Sequence, residues 1–365
     1  AEFLPASLLT PIAADLGVTD GAAGQTVTAT AIIGAVAGLF APVVTGKLDR
    51  RVVMWALTVL LIVSSALAAI APNLPTLLAA RLLLGVGIGG FWSMAAAMAM
   101  RMAPARLVPR AISLIFTGVS IATVSAAPIG AYLGGLYGWR VVFWLAGAIG
   151  VVTLIAQLLT IPRMPPQSPP SVKTIIDLLR RPSMRLVLIT ILLAISGHFA
   201  GFTYVRPFLE QTPKLSIELI SLALLGFGVG GFFGNFAGAA IVERSAGLSV
   251  ITGALMIAAM ALALTLFGAS LWASAAAVTI WGFAFGFLPV GFQTWTVRAA
   301  PDQTESASGL VVAAFQVAIA SGAIFGGLFV DHFGALGAIG YAGVAALLGA
   351  LLVMSTGGAR NGAAA

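Results

Sequence analysis

The 365-residue sequence predicts an all-α integral membrane protein, with twelve transmembrane helices in two parallel six-helix repeats. Three observations carry that expectation. The first is composition: 60% of the residues are hydrophobic and 8% are charged, where a water-soluble domain carries about 25% charged residues. Mean hydropathy is +1.09. So much apolar surface cannot be hidden in a core surrounded by water, and disorder requires the opposite composition. The second is pattern: the apolar runs are long and do not alternate, which favours helices over a barrel. The third is charge placement, because the basic residues collect on alternate loops.

A helical span needs roughly 20 residues. The first apolar run ends near Ala14 and opens with no basic flank, so further residues are expected to precede Ala1. The next five runs cover 23–45, 53–71, 75–98, 108–133 and 141–161. A polar interruption follows, with Pro162, Pro165, Pro166, Pro169 and Pro170 ahead of a short amphipathic stretch from Val172 to Leu179. Six more runs cover 184–205, 217–241, 248–268, 271–296, 307–330 and 335–355. The expected units are therefore a six-helix bundle over 1–161, a cytoplasmic linker over 162–183 and a second six-helix bundle over 184–365.

Alternate loops hold Lys47, Arg50, Arg51, Arg101, Arg106, Arg110, Arg163, Lys173, Arg180, Arg181, Arg185, Arg244, Arg298 and Arg360. The opposite loops hold only Arg140, Arg206 and Lys214, and Arg81 lies within a span. The basic side belongs in the cytoplasm, which places both termini there. The net charge of +7 thus reports orientation and gives no reason to expect a nucleic-acid partner.

The two halves echo each other. Gly130-Ala131-Tyr132-Leu133-Gly134-Gly135 ends the fifth span and Gly322-Ala323-Ile324-Phe325-Gly326-Gly327 ends the eleventh. Arg101-Met102-Ala103-Pro104 follows the fourth span and Arg298-Ala299-Ala300-Pro301 the tenth. An even number of spans per repeat gives both halves the same orientation, with an axis along the membrane normal.

Local motifs now support a family. Gly46-Lys47-Leu48-Asp49-Arg50-Arg51 resembles the loop motif of the major facilitator superfamily, one residue short before Asp49. Gly238 with Glu243-Arg244 occupies the equivalent loop of the second half, and Arg81 to Gly85 is similar to the family's intramembrane Arg motif. Gly118, Pro128-Ile129-Gly130 and Gly134-Gly135 resemble the antiporter motif of proton-driven exporters, with Ala127 in place of the usual Gly. The segments Glu2 to Gly17, Gly90 to Met94, Phe202 to Pro207 and Pro289 to Trp295 resemble the bacterial exporters of this superfamily that carry purine ribonucleosides. The resemblance implies the major facilitator fold and proton-coupled efflux of purine ribonucleosides by alternating access, from a monomer in a bacterial inner membrane. Sugar and multidrug proton antiporters share the first and fifth span motifs and stand as the alternative.

Charges within the bilayer are few and usually functional. Glu2 lies about thirteen residues before the outer end of its span, roughly 20 Å deep and near the midplane. A carboxylate there is a candidate for proton coupling or substrate contact, or a structural hydrogen-bond partner. Arg81 sits roughly 9 Å below the outer surface. It is a candidate for tuning the proton site, and equally for tethering helices through backbone carbonyls. His198, roughly 12 Å deep, is a candidate for proton or substrate contact or for a satisfied polar contact.

A nucleoside offers a flat base for stacking and several donors and acceptors. The matching neutral candidates are Trp92, Ser93, Phe202, Tyr204, Asn235, Gln293 and Gln316, with Trp295 as either a site residue or an interfacial anchor. Asn and Gln within a span should face the bundle interior. Asp49 and Arg50, with Glu243 and Arg244, are candidate gate residues: Asp49 can pair with Arg50 or with a helix N-terminus across the halves. The 43 glycines suit close helix packing, as at Gly85, Gly89, Gly226, Gly230 and Gly234. Gly85-Val86-Gly87-Ile88-Gly89-Gly90 lies within a span with no Lys after it, so it is no phosphate cradle and argues against an ATP-driven pump. The chain has no cysteine and no metal-ligand spacing, and His332 stands beside Asp331 in an outer loop. No cofactor or metal is expected, nor a paired nucleophile and base as an enzyme would require.

Overall fold

Helices occupy every apolar segment named above. The computed structural model describes residues 1–2, 4–102, 104, 108–165 and 172–356. Ahead of the linker run α1 (Leu4–Leu16), α2 (Asp20–Val44), α3 (Arg50–Ala69), α4 (Leu74–Met102), α5 (Val108–Tyr137) and α6 (Trp139–Thr160). The linker carries α7 (Val172–Arg180). Beyond it run α8 (Pro182–Thr203), α9 (Val205–Gln211), α10 (Ile217–Val242), α11 (Ala246–Phe267), α12 (Leu271–Ala299), α13 (Thr304–Phe333) and α14 (Ala335–Ser355). Among the described residues, 10 helices are long and apolar enough to cross a bilayer, and the apolar α1 is shorter. Arg106, Arg360, Pro166, Pro169 and Pro170 of the sequence reading lie outside the described residues.

The helix pairings before the linker recur after it. α2 packs on α4, α3 on α4 and α6, and α1 on α5 and α6. In the same way α10 packs on α12, α11 on α12 and α14, and α8 on α13 and α14. Contacts across the linker are reciprocal too, α2 with α13 and α5 with α10. The turns into α6 and α14 also match: Gly138 has φ 84° and Gly334 φ 72°, a region that only glycine enters without strain.

Small residues let these pairs approach closely. A Cβ on Gly234 would collide with the Phe283 carbonyl, and one on Gly282 with the Phe227 carbonyl, so α10 and α12 meet backbone to backbone. Gly85 and Gly89 do the same for α4 against α2. In hydrocarbon, where lipid is as apolar as the helices, such contact provides much of the packing energy.

One predicted segment is not a single helix. The run 184–205 breaks at Tyr204 and resumes as α9. Pro207 supplies the reason: its ring crowds the carbonyl four residues back, at Thr203, which ends α8.

Polar contacts tie the linker to both sides. Asp49 caps α3 through the Arg51 N–H (2.8 Å) and also accepts the Met164 N–H (3.0 Å). These two bonds hold its carboxyl below the ordinary aspartate value. Arg181 holds Asp302 with two bonds of 2.7 Å. That pairing lowers the Asp302 carboxyl to about 2. A depressed pKa contributes stability above the unfolded value of about 3.9 and loses it as pH falls toward the folded one. Asp302→Asn is therefore expected to leave the slope of melting temperature against pH unchanged between pH 5 and 8. A changed slope in that window would contradict the pairing.

Candidate functional site

Glu2 and Gln316 come from opposite ends of the chain and meet. Gln316 Nε2 donates to the Glu2 carboxylate at 3.1 Å, which joins the segment before α1 to the middle of α13. Gln316 is 5% exposed, and its Oε1 has no hydrogen-bond partner among the described residues. Arg81, 1% exposed on α4, reaches the same place. Its guanidinium donates to the carbonyls of Glu2 (2.8 Å), Ala1 (3.1 Å) and Thr26 (3.4 Å). It thus holds main-chain oxygens at the Glu2 segment and makes no hydrogen bond to the carboxylate. The helix-rise count separates the two residues by about 10 Å; the long arginine side chain closes that gap.

Removing this cation leaves three carbonyls without their donor, the one at buried Thr26 at a cost of about 1–3 kcal/mol. Arg81→Ala is expected to lower the melting temperature of the purified protein by several degrees. Arg81→Lys, a point charge without the planar fork, is expected to recover only part of that loss. Thermal unfolding at matched pH checks both.

Beside Glu2 lies a cavity of about 550 Å³ between α1, α3, α4, α5 and α6. It lies within the size range of small-molecule sites. Trp92 and Phe91 line it, edge to face at 5.5 Å. Thr58 and Gln157 also line it, linked at 2.9 Å. The sequence reading missed both. The rule that singled out Gln316, a polar residue within an apolar span, applies equally to Gln157 in α6.

His198 belongs to a second group. It is 1% exposed on α8 and its Nδ1 accepts the Trp281 indole N–H at 3.0 Å. That bond requires an imidazole with an unprotonated Nδ1. Its ring stacks on Phe285 with centroids 3.8 Å apart and lies near-parallel to Phe202 and Phe227. Of the stacking candidates, Phe202 therefore sits with His198 and Trp92 sits with Glu2.

The remaining candidates scatter. Ser93 bonds back to the Gly90 carbonyl of its own helix at 2.8 Å. Asn235 is half-buried where α10 meets Gly286 of α12, and Gln293 is exposed. Trp295 is 7% exposed, which excludes an interfacial anchor exposed to headgroups. Tyr204 has no exposure and lines no cavity described here; it is wedged between α2 and α13. In this conformation it is a seam residue.

The proposed gate loops also differ from expectation. Asp49 bonds neither Arg50 nor a helix of the other half, because its own α3 N-terminus offers the nearer N–H groups. Arg50 donates instead to the carbonyl and hydroxyl of Thr45 at the end of α2. Glu243 and Arg244 are exposed. Among the described residues, no cluster of His, Cys, Asp and Glu has the makings of a metal site.

Close glycine seams, long apolar helices and a helix pairing that recurs after the linker describe a multi-pass membrane protein. The chain belongs to the Major Facilitator Superfamily, whose profile matches residues 1–318. It is 40% identical over 352 residues to the purine ribonucleoside efflux pump NepI of Salmonella paratyphi C, covering 96% of this chain and 89% of that one. NepI of Salmonella typhimurium gives the same figures. Among solved structures, the partially occluded inward-open xylose transporter XylE from E. coli superposes with a TM-score of 0.70 at 16% identity, over 97% of this chain and 93% of that one. The human organic anion transporter MFSD10 superposes with a TM-score of 0.67 at 17% identity, over 96% of each chain. At those identities the two structures speak to the fold alone.

Proposed function

We propose that this protein is a proton-coupled exporter of purine ribonucleosides that works by alternating access. The observation that carries the coupling is the bond between Glu2 and Gln316, which spans the two halves beside a cavity. The substrate class rests on the 40% identity to pumps named for purine ribonucleosides. In this reading the chain has twelve spans, α1–α6 and α8–α14 with α9 continuing α8, divided at the linker. The basic loops and both termini face the cytoplasm of a bacterium, and the unit is a monomer in the inner membrane.

The ionised Glu2 carboxylate accepts from Gln316 and helps hold the halves together. Protonation from outside removes that charge. The acid then needs an acceptor, and the unpartnered Gln316 Oε1 becomes one after the amide turns. A nucleoside entering from the cytoplasm competes for the same groups, its base on Trp92 and its polar edge toward Glu2 and Gln157. Binding of proton and substrate thereby bias opposite conformations, as exchange requires.

The test is a thermal-shift screen of the purified protein against inosine, arabinose and a cationic dye at two pH values, followed by efflux from proteoliposomes. A ligand of the folded state raises the melting temperature. Inosine should do so and should move when a pH gradient is imposed. The predominantly apolar lining of the cavity favours a lipophilic compound as the second reading; a shift by the dye without one by inosine would select it.

A further inference from the structure

At the end of the molecule away from the Asp49 loop, a further set of contacts joins the two halves. Asp331, in the last turn of α13, uses both carboxylate oxygens on the start of α2 and the residue just before it. Oδ1 accepts the Gly21 N–H at 3.1 Å and Oδ2 accepts the Thr19 hydroxyl at 3.0 Å. The first turn of a helix has unpaired N–H groups and a partial positive charge, so a carboxylate is favoured there. The Thr19 hydroxyl also accepts the Ala22 N–H at 3.1 Å, so one residue caps α2 and grips α13.

Tyr204 fills the space behind this latch. Its hydroxyl donates to the Ala323 carbonyl of α13 at 2.9 Å and lies 3.4 Å from the Gly21 carbonyl of α2. The ring fits because both walls are glycine. A Cβ on Gly24 would collide with the Tyr204 hydroxyl, and one on Gly326 or Gly327 would press on the ring or hydroxyl at 2.8 or 2.6 Å. Nearby, Arg206 of α9 donates to the Ser7 carbonyl of α1, and Gln211 reaches Asp20 at 3.5 Å.

We propose that Asp331 is the latch, and Tyr204 the plug, of the gate that closes this face. The inference rests on the alternating-access reading above. Release of cargo on this face requires α2 and α13 to part, and parting breaks both Asp331 bonds and empties the glycine slot. The latch is accessible to water, so its contribution is modest and suits a contact that must break in every cycle.

The absence of cysteine in the chain makes the test direct. Ala14 and Leu336 are exposed, one on each side of the seam. Cysteines there, carrying nitroxide labels in lipid nanodiscs, report the separation by double electron–electron resonance. The parent pair is expected to show mainly the short distance. Adding Asp331→Ala should raise the long-distance population by about tenfold, and Thr19→Val, which keeps the shape and removes one bond, should raise it less. Melting temperature and elution profile identify a variant that has merely unfolded, in which case Thr19→Val decides. An unchanged distance distribution in a folded variant overturns the latch. A shifted distribution in variants of a parent protein that moves no inosine supports the latch and separately refutes the nucleoside cargo.

Discussion

Glu2→Gln is expected to abolish efflux driven by an imposed pH gradient in proteoliposomes, while the protein keeps its fold and its capacity to bind nucleoside. Glutamine has nearly the same shape, and its amide can still bond Gln316, so the contact at 3.1 Å has a neutral replacement. What it cannot do is take up and give back a proton. Nucleoside-induced thermal shifts should therefore persist in the variant and lose their pH dependence. The competing proton site is His198, and its surroundings argue against it. A protonated imidazole has no acceptor nitrogen, so protonation at Nδ1 would break the bond from Trp281 inside a stack of rings. Efflux that still follows the gradient in Glu2→Gln would nevertheless shift the assignment to that histidine.

The second large effect concerns packing. Gly282→Ala is expected to destabilise the protein by about 1–3 kcal/mol, the range for overpacking a close-fitted site. The added Cβ meets backbone atoms of Phe227, including its carbonyl, and backbone cannot turn aside as a side chain can. Gly340→Ala on α14 is the control. Nothing lies within 4 Å of a Cβ there, and alanine favours helix, so its melting temperature should hold or rise. Equal losses in the two variants would mean that the α10–α12 seam is not closely packed.

Much of the architecture was readable because the bilayer imposes strong rules. Long apolar runs marked the helices, and the echo between Gly130–Gly135 and Gly322–Gly327 anticipated the recurring pairings. The family followed from loop motifs and is shown by a match over residues 1–318. The break at Tyr204 was not anticipated, although Pro207 was in plain view, because hydropathy does not register backbone sterics. The site was read less well. Rarity within a span selected Glu2, Arg81, His198 and Gln316, and all but Glu2 are buried. Rarity does not say which of them touch. Glu2 and Gln316 are 314 residues apart, and helix packing across the linker, α2 on α13 among it, brings them together.

Asp331 shows the same limit from the other side. In the sequence it is a loop-end acid beside His332; in the structure it closes a seam with Thr19 and Gly21, 312 and 310 residues away. The sequence by itself determined that this is a multi-pass helical membrane protein of the superfamily, since composition, run length and motif order are local properties that hydrocarbon filters directly. Only the tertiary structure decided that Arg81 grips main-chain carbonyls, that His198 lies in an aromatic stack away from Glu2, and that Tyr204 closes a seam. Those are matters of which helix faces meet, and helix contacts in lipid depend on close surface fit between distant segments, a property that no stretch of sequence carries alone.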